Sequence, residues 1–388
     1  MKSLHTKIGS YWYPEGPLAP THPFLITMMP FSFAYGAIVA LRNQLYDRGI
    51  LKQVKLPCPV ISIGNITTGG TGKTPMTVLT ANGLKARGFC PAVLSRGYGG
   101  RLTTSGNVVS DGASILLGPE AAGDEPVLIA AAAPGIPVLT GPDRCVSGKL
   151  AIEKFGANVL VLDDAFQHRR LFRDINIVLL DEAKPFGNGR LLPAGPLREL
   201  PAALNRADVI VKTGISRGEK DWKKHALPDG IPVFRARYQP FEIIQGKNKS
   251  FSIINSFAGG SGGGVTSQIQ GSDNQPLPPG MLRDKKIYAF TGIAAPEKFR
   301  ATLEELGAKI IKFLAFPDHY FYKNADVRAI AEEAKAMNAE MVITTEKDGV
   351  KLLIFQDFYR EIAILRVGLR MDPDERTFFE TVETILRR

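Results

Sequence analysis

Cysteine is scarce in this chain of 388 residues, and the few that occur exclude two kinds of architecture. The three cysteines, Cys58, Cys90 and Cys145, form an odd number without a C-x-x-C spacing, which argues against a disulfide framework and against a zinc cluster. Charged residues make up 22% and hydrophobic residues 44%, so collagen, coiled coils and wholesale disorder are excluded. Because a single core stops growing at roughly 250–300 residues, we expect two domains, with three as an upper limit. The cysteine content indicates a cytosolic chain.

Acidic residues are in deficit, which limits the kind of partner. The chain carries 48 Lys and Arg against 38 Asp and Glu, a formal net charge of +10. Such a balance favours an anionic partner: nucleic acid, a phosphorylated small molecule or an acidic membrane surface. Charge alone leaves these three classes open.

Charge is missing altogether from one stretch near the amino terminus. Residues 16–41 contain no Asp, Glu, Lys or Arg, and residues 24–41 are mostly apolar. As a helix, this run would measure about 27 Å, which is marginal for crossing a bilayer, and Pro30 and Gly36 weaken the spanning interpretation further. We predict a helix that lies in, or dips into, the cytoplasmic leaflet. The alternative is a buried helix packed on the protein's own core.

The residues that flank this helix support the membrane interpretation. Aromatic side chains precede it and basic side chains follow it, an arrangement typical of interfacial anchors. They are Tyr11, Trp12, Tyr13, Arg42, Arg48, Lys52 and Lys55. A cleaved signal peptide is the least favoured interpretation, because the segment that follows is suited to bind a nucleotide and needs a cytosolic supply of it.

Short β-branched runs alternate with helical stretches from residue 60 onward, which indicates a parallel sheet covered by crossover helices. The predicted strands are 60–63, 92–95, 137–140, 159–162, 175–180, 209–211, 233–237, 287–290, 310–313, 341–344 and 362–366. Helices are predicted near 296–306 and 325–337, with a closing helix that ends at residue 386. The pattern predicts an α/β protein.

Changes in composition divide the chain into four predicted parts. Residues 1–55 form the membrane-associated helix with its basic flank, and residues 56–238 form the larger α/β domain. Residues 239–285 form a linker, and residues 286–388 form a second, smaller α/β domain. The stretch 257–280 within the linker is rich in Gly, Ser, Gln, Asn and Pro, and it is predicted to be a flexible insertion.

A glycine-rich loop follows the first predicted strand, where residues 63–75 read IGNITTGGTGKTP. In such a loop backbone N–H groups close around phosphate oxygens, Lys73 adds a positive charge at the β/γ-phosphates, and the Thr74 hydroxyl can bind Mg²⁺. The strict motif has Gly where this chain has Thr67, so the loop is an atypical Walker A. The predicted nucleotide-binding residues are Thr67, Thr68, Gly69, Gly70, Thr71, Gly72, Lys73 and Thr74. A purely structural glycine turn is the alternative.

A P-loop also needs a carboxylate for the metal, usually at the end of a buried strand. Residues 159–162 are apolar and end directly in Asp163 and Asp164, which places two acids at the carboxyl edge of the predicted sheet. Open α/β sheets bind their ligands at that edge. We predict that Asp163 and Asp164 bind Mg²⁺ together with Thr74; helix capping is the alternative for either acid alone.

Further polar clusters follow other predicted strands and converge on the same edge. Each cluster taken alone could be a helix cap or a solvated surface charge, and Asp124 in particular could cap the helix that begins near Pro126. Together they predict a ligand site. Besides Asp124, the candidate substrate contacts in these clusters are Arg96, Tyr98, Glu125, Arg144, Gln167, His168 and Asn188.

The ordered set of motifs closely resembles the tetraacyldisaccharide 4'-kinase family of lipid A biosynthesis, and the P-loop NTPase-type fold comes with it. The motifs are GN at 64–65, GGTGKTP at 69–75, SRGY at 95–98, GDEP at 123–126, DDAFQH at 163–168, LPAGPLRE at 192–199, GIAAP at 292–296, FPDH at 316–319 and TEKD at 345–348. In that family Thr67 in the loop is usual. The stretch 257–280 departs from the family by its length and lies away from every motif.

The resemblance implies an enzyme that moves the γ-phosphate of ATP onto the 4'-hydroxyl of a tetraacylated glucosamine disaccharide 1-phosphate. ATP and Mg²⁺ are then the expected cofactors, and the cytoplasmic face of the inner membrane is the expected location. Asp124 is implied to be the base that takes the hydroxyl proton, paired with His319. The sequence analysis places these two residues in different domains.

Two other classes of function were weighed against the kinase. A GTPase needs an Asn-Lys-x-Asp guanine reader, and in the nearest candidate Lys347 and Asp348 are adjacent, so this class fails. A P-loop ATPase switch that controls membrane recruitment stays open as the alternative. No nucleic acid partner is expected, because the chain shows neither helicase motifs nor an aromatic-and-basic strand suited to stacking bases.

Overall fold

The computed structural model describes residues 11–13, 23–214, 227–245, 277–372 and 374–387. Its α-helices are α1 (Pro23–Asp47), α2 (Lys73–Ala86), α3 (Pro119–Ala122), α4 (Asp124–Ala132), α5 (Arg144–Phe155), α6 (Pro296–Glu305), α7 (Asn324–Ala336), α8 (Glu346–Leu352), α9 (Gln356–Glu361) and α10 (Glu375–Leu386). Its strands are β1 (Val60–Asn65), β2 (Pro91–Ser95), β3 (Asn107–Ser110), β4 (Val138–Thr140), β5 (Val159–Leu162), β6 (Ile175–Asp181), β7 (Val209–Thr213), β8 (Val233–Gln245), β9 (Lys286–Thr291), β10 (Lys309–Ala315), β11 (Met341–Thr345) and β12 (Ile362–Asp372). The predicted α/β class is confirmed.

The chain folds into two compact units, each drawn from separated parts of the sequence. The first unit comprises Met1–Lys73, Val159–Arg237 and Arg370–Arg388, and the second comprises Thr74–Asn158 and Tyr238–Leu369. This grouping does not follow the predicted boundaries, because residues 74–158 pack with the later segment, where α4 contacts α8. The boundaries themselves stay a prediction. Most of the predicted insertion at 257–280 lies outside the described residues.

The first unit is built on parallel strands in the order β8-β7-β6-β1-β5, to which β8 contributes its first residues, 233–237. In the middle of this sheet Ile61 pairs with Val161 on one side and with Ile175 on the other. Every residue of β1 and β5 is buried, as expected for parallel strands that are covered on both faces. The sheet therefore holds the carboxyl ends of β1 and β5 side by side.

Helix α1 belongs to this first unit and has two different faces. On one face, the Ser32 hydroxyl donates to the Leu191 carbonyl at 2.8 Å, Tyr35 donates to the Arg198 carbonyl at 3.0 Å, and the Asn43 amide donates to Glu199 at 2.7 Å. The other face exposes large apolar side chains, namely Ile26, Phe31, Phe33, Ile38 and Leu41.

The exposure of α1 decides between the two interpretations of its sequence. The helix is long and apolar enough to cross a membrane, and only 11% of its most apolar window is buried in the protein. Phe33 is 71% exposed and Phe31 is 61% exposed. The alternative of a core helix is therefore wrong.

The second unit contains two groups of paired strands. Strands β2 and β4 pair in parallel, and β3 joins the edge of β4 in the antiparallel direction with a register shift between Val108 and Ser110. The sequence analysis missed β3, because an edge strand of four residues carries too little periodic signal. The later strands form the parallel order β10-β9-β11-β12, and helices α6 and α7 follow β9 and β10 as predicted.

Candidate active site

The loop between β1 and α2 has the backbone of a phosphate cradle. Gly69 and Gly72 have φ values of 120° and 88°, which residues other than glycine rarely adopt. A Cβ added at Gly70 would meet no described atom within 4 Å, so the loop is open at this point. Successive N–H groups in such a turn at a helix start attract phosphate oxygens.

The rest of the first unit holds this loop in place. The Asn65 amide donates to the Thr71 hydroxyl at 2.8 Å, and the Thr213 hydroxyl donates to the Thr71 carbonyl at 2.8 Å. On the other side, the Thr68 N–H donates to the Pro196 carbonyl and the Arg198 N–H donates to the Ile66 carbonyl, at 2.8 and 2.7 Å. The segment 191–199 thus pairs with the loop and also supports helix α1.

Lys73 and the acid pair meet inside the first unit, as predicted. The Lys73 ammonium lies 3.9 Å from Asp164, and Arg198 donates to both oxygens of that carboxylate at 2.8 and 3.0 Å. Asp164 has a positive φ of 47°, an uncommon backbone conformation that often marks a functional position. Asp163 is buried, and the Ala165 N–H donates to the Ile63 carbonyl at 3.0 Å, which fixes the acid turn beside β1.

Gln167, His168 and Asn188, three of the predicted substrate contacts, also lie in the first unit. The Gln167 amide donates to the Asn65 carbonyl at 2.9 Å and to Glu199 at 3.1 Å. The Asn188 side chain donates to the carbonyls of Tyr11 and Ala194, so it organises the backbone of this region. His168 lies in the turn after the acid pair, where its N–H donates to Ala165.

Asp124 lies in the second unit at the start of α4, and it is not the capping residue. The N-cap position belongs to Gly123, at φ 92° and ψ 155°, a region that is essentially restricted to glycine. A Cβ on Gly123 would lie 2.4 Å from the Tyr98 carbonyl oxygen. The close approach of the 95–100 turn therefore requires this glycine and fixes the backbone that carries Asp124.

Asp124 and His319 form a direct pair within the second unit. The His319 Nδ1 atom lies 2.9 Å from Asp124 Oδ2, and Asp124 Oδ1 accepts from the Glu125 N–H at 3.0 Å. The Asp124 side chain is 4% exposed and that of His319 is 34% exposed. His319 has a positive φ of 58°, so the protein holds it in a sparsely populated conformation. Both partners belong to the same compact unit.

The surroundings shift the pKa values of this pair in opposite directions. Burial would raise the pKa of Asp124, but the hydrogen bond from His319 and the positive charge of Lys347 outweigh it and hold that pKa below its usual value. The hydrogen bond to Asp124 raises the pKa of His319, against burial and the charge of Lys347. At neutral pH the carboxylate is therefore charged and able to accept a proton.

Lys347 is the residue of this site that the sequence analysis missed. Its ammonium lies 3.3 Å from His319 Nε2, 3.2 Å from Asp318 Oδ1 and 3.8 Å from Asp124 Oδ2. In the sequence, Lys347 stands out only in a stretch that does not match the guanine-binding motif of GTPases. Its membership of the TEKD motif was the one signal that could have found it.

The remaining predicted contacts of the second unit differ in their surroundings. The Tyr98 ring is 67% exposed and lies 6.2 Å from the His319 ring, centre to centre. Arg144 is buried, and its guanidinium reaches the carbonyls of Gly141 and Pro142 at 3.4 Å. Arg96 is exposed and Glu125 is half-buried. Their roles in substrate binding stay predictions.

The oxygen donors of Thr74, Asp163 and Asp164 fit Mg²⁺. In the described part of the chain, no group of three or more His, Cys, Asp or Glu side chains could hold a metal by itself. Mg²⁺ in phosphoryl-transfer enzymes is held by one or two carboxylates together with substrate phosphates. Asp163 and Asp164 supply the carboxylates that this mode requires, and the Thr74 hydroxyl stays a predicted further donor.

Comparisons with known proteins agree with this geometry. The family described as Tetraacyldisaccharide-1-P 4'-kinase matches residues 24–387. A tetraacyldisaccharide 4'-kinase of Syntrophus aciditrophicus (strain SB) is 47% identical over 376 residues, 94% of each chain, and that of Pelobacter propionicus is 42% identical over 358 residues, 91% of each chain. The crystal structure of "apo" LpxK from Aquifex aeolicus in complex with ATP has a TM-score of 0.70 and 32% identity, and the match covers 92% of this chain and 98% of that one.

Proposed function

The chain belongs to the tetraacyldisaccharide 4'-kinase family, and from this premise we infer that it transfers the γ-phosphate of ATP to the 4'-hydroxyl of a tetraacyldisaccharide 1-phosphate. The products are ADP and the bis-phosphorylated lipid A precursor, lipid IVA. The observation that carries the chemistry is the buried Asp124 carboxylate held by His319 at 2.9 Å. The predicted kinase assignment, with ATP and Mg²⁺ as cofactors, is confirmed by the family.

Asp124 is proposed as the general base. As the oxygen of the 4'-hydroxyl forms its bond to the γ-phosphorus, the bond from that phosphorus to the leaving ADP oxygen breaks, and the hydroxyl proton moves to Asp124. The lowered pKa of Asp124 keeps its carboxylate ionised at neutral pH, and a positioned base contributes roughly 10²–10⁴-fold to such a step. His319 orients the carboxylate through Nδ1.

The loop residues Thr67 to Lys73 are proposed to bind the ATP phosphates. The N–H groups of the loop glycines and the Lys73 ammonium would offset the negative charge that the transferred group carries in the transition state. Thr74, Asp163 and Asp164 would hold Mg²⁺, which neutralises phosphate charge when it is bound. Arg198 and Lys73 keep Asp164 oriented by their ion pairs.

The disaccharide is proposed to lie against the exposed polar side chains near the base. Tyr98 offers an exposed ring beside His319, and Arg96 offers a positive charge to an anionic acceptor. Arg144 and Asn188 bind neighbouring carbonyl groups, so they would act mainly by shaping the loops. The full proposed set of substrate contacts is Arg96, Tyr98, Glu125, Arg144, Gln167, His168 and Asn188.

Helix α1 is proposed to place the enzyme on the lipids of the cytoplasmic leaflet of the inner membrane, as a peripheral or monotopic protein. A four-chain glycolipid stays in the bilayer, so the kinase must reach it there. The exposed apolar face of α1 supports this proposal, and basic residues close to an anionic leaflet add roughly 1 kcal/mol each. The positive net charge of the chain also favours attraction to an anionic leaflet.

One experiment tests the activity directly. The purified full-length protein is incubated with γ-labelled ATP, Mg²⁺ and a tetraacyldisaccharide 1-phosphate in mixed micelles. Label that appears on the lipid, with ATP turnover that depends on the lipid, supports the kinase. ATP turnover without lipid labelling would favour the ATPase switch and overturn the proposal.

A further inference from the structure

Lys347 contacts three polar groups around the Asp124–His319 pair. Its ammonium lies 3.3 Å from His319 Nε2 and 3.2 Å from Asp318 Oδ1, and it faces the Asp124 carboxylate at 3.8 Å. The Lys347 side chain is 19% exposed, so these contacts are largely shielded from water. All four residues belong to the second compact unit.

The contact with His319 favours one position of the imidazole proton. A lysine ammonium carries three donors and no acceptor, so the 3.3 Å contact is a hydrogen bond only when Nε2 acts as the acceptor. In a neutral imidazole the other nitrogen then carries the hydrogen. In this tautomer His319 Nδ1 donates its hydrogen to Asp124 Oδ2.

The charge of Lys347 acts on the same pair. A positive charge at this distance stabilises the Asp124 carboxylate and opposes formation of an imidazolium at His319. Asp318, whose Oδ2 lies 3.7 Å from His319 Nε2, acts in the opposite sense on His319, and the Lys351 charge supports that of Lys347 at Asp124. The exposed Tyr98 ring is the neighbouring aromatic group.

A buried network fixes the backbone that presents Lys347. The neighbouring Asp348 carboxylate is fully buried and accepts from Thr291 at 2.8 Å, from Tyr322 at 3.0 Å and from Thr345 at 2.7 Å. It also accepts from the Gly292 N–H at 3.0 Å. These bonds join β9, the segment that follows His319 and the start of α8. Lys347 is therefore presented to the pair from a rigid turn.

We propose that Lys347 is a positioning residue of the phosphoryl transfer: its ammonium opposes a proton on His319 Nε2, which favours the Nδ1–H tautomer, and it keeps Asp124 ionised to receive the acceptor proton. The inference rests on the proposed role of Asp124 as base. It assigns Lys347 no contact with ATP or lipid, so its removal should lower kcat while leaving the KM for ATP nearly unchanged.

The first test is spectroscopic and does not depend on turnover. Nitrogen-15 imidazole spectra of the full-length protein are recorded for wild type, Lys347→Met and Lys347→Arg, with the His319 signals assigned by their loss in His319→Gln. Wild type should show a protonated Nδ1 and an unprotonated Nε2, and Lys347→Met should show a mixture of tautomers or an imidazolium at neutral pH. An unchanged tautomer in Lys347→Met would overturn the inference.

The second test uses the pH profile of kcat. Without the ammonium, the pair retains its proton to higher pH, so the acid limb of Lys347→Met should move upward by about one unit, the lower end of the range for a charge at this distance. At neutral pH kcat should fall roughly tenfold, a part of the full effect of general-base loss. Lys347→Arg, which keeps the charge, should recover most of this loss.

Controls separate this role from mere support of the fold. Lys335→Met removes an exposed lysine from α7 of the same unit and should leave the spectrum and the profile as in wild type. A fall in kcat of Lys347→Met by one factor at every pH, without recovery in Lys347→Arg, would mean structural damage and overturn the proposal. If wild type labels no lipid, the proposed function fails, while the imidazole spectrum still decides whether Lys347 sets the tautomer.

Discussion

Arg198 donates to both carboxylate oxygens of Asp164, at 2.8 and 3.0 Å. The backbone N–H of the same arginine donates to Ile66 in the phosphate-binding loop, and its carbonyl accepts from Tyr35 of α1. One residue thus joins the loop, the acid pair and helix α1 within the first unit. Because both oxygens of Asp164 already accept from Arg198, this carboxylate is poorly placed to take the acceptor proton as the base.

Removing the Lys73 charge should abolish nearly all phosphate transfer. The side chain acts on phosphate charge, so Lys73→Ala should fold normally while transferring little label from ATP to the lipid. Lys312→Ala, at an exposed ion pair of the second unit, is the matched control and should keep full activity. Wild-type turnover in Lys73→Ala would refute the P-loop assignment.

Asp163→Asn should weaken the binding of Mg²⁺ while leaving the fold largely intact. The amide has nearly the same volume as the buried carboxylate but lacks its charge, so a higher Mg²⁺ concentration should be needed for half-maximal transfer. Thr74→Ala should shift the Mg²⁺ dependence in the same direction. A Mg²⁺ titration of kcat that coincides with wild type in both variants would contradict this metal site.

Asp124→Asn should lower kcat by two or more decades, roughly the scale of general-base loss, because the amide cannot accept the proton. His319→Ala should lower kcat less. If the two residues act as a unit, the loss of transition-state stabilisation in the double variant should be smaller than the sum of the two single losses. Steady-state kinetics at saturating ATP measure all three, and a near-normal kcat in Asp124→Asn would leave the mechanism without its base.

The pH dependence should follow the pKa shifts of the same pair. The lowered pKa of Asp124 gives stability that is present above the usual carboxyl pKa and is lost as pH falls through its value in the folded protein. The raised pKa of His319 gives stability that is present below the usual imidazole pKa and is lost as pH rises through its value in the folded protein. The thermal midpoint of wild type minus that of His319→Gln should therefore be greatest between these limits.

Gly123→Ala should damage catalysis more than Gly99→Ala. Both glycines have a positive φ, 92° and 80°, so both variants carry backbone strain. A Cβ added at Gly123 would lie 2.4 Å from the Tyr98 carbonyl oxygen. A Cβ added at Gly99 would have no described atom within 4 Å. We expect Gly123→Ala to displace Asp124 and lower kcat, and equal kcat in the two variants would contradict this.

Phe31→Arg should weaken vesicle binding. A charge in the middle of an inserted helix costs about 2.5–3.5 kcal/mol, and less at an interface. Gln44→Arg, at an exposed position near the end of the same helix, is the control and should sediment as wild type does. Deletion of residues before Arg42 would be a poorer test, because Ser32 and Tyr35 also support the segment 191–199. If Phe31→Arg sediments with vesicles as wild type does, the proposed membrane role of α1 is contradicted.

The sequence by itself determined the order of strands and helices and the chemistry of the nucleotide loop. Both signals are local: short β-branched runs alternate with helical stretches, and the loop 67–74 has its glycines, Lys73 and Thr74 in one short stretch. Strand β5 is wholly apolar and β1 is mostly apolar, so their positions could be predicted. Strand β3 could not, because four residues at an antiparallel edge have no such pattern.

Only the tertiary structure decided which distant residues meet. It joins residues 74–158 to 238–369 in one unit, and that packing brings His319 and Lys347 to Asp124, 195 residues earlier than His319 in the chain. Hydrogen bonds and ion pairs at this separation leave no periodic trace in sequence. The Asp124–His319 pair could be expected from family resemblance alone, and Lys347 could not, because its role depends on a distance of 3.3 Å that only the folded chain sets.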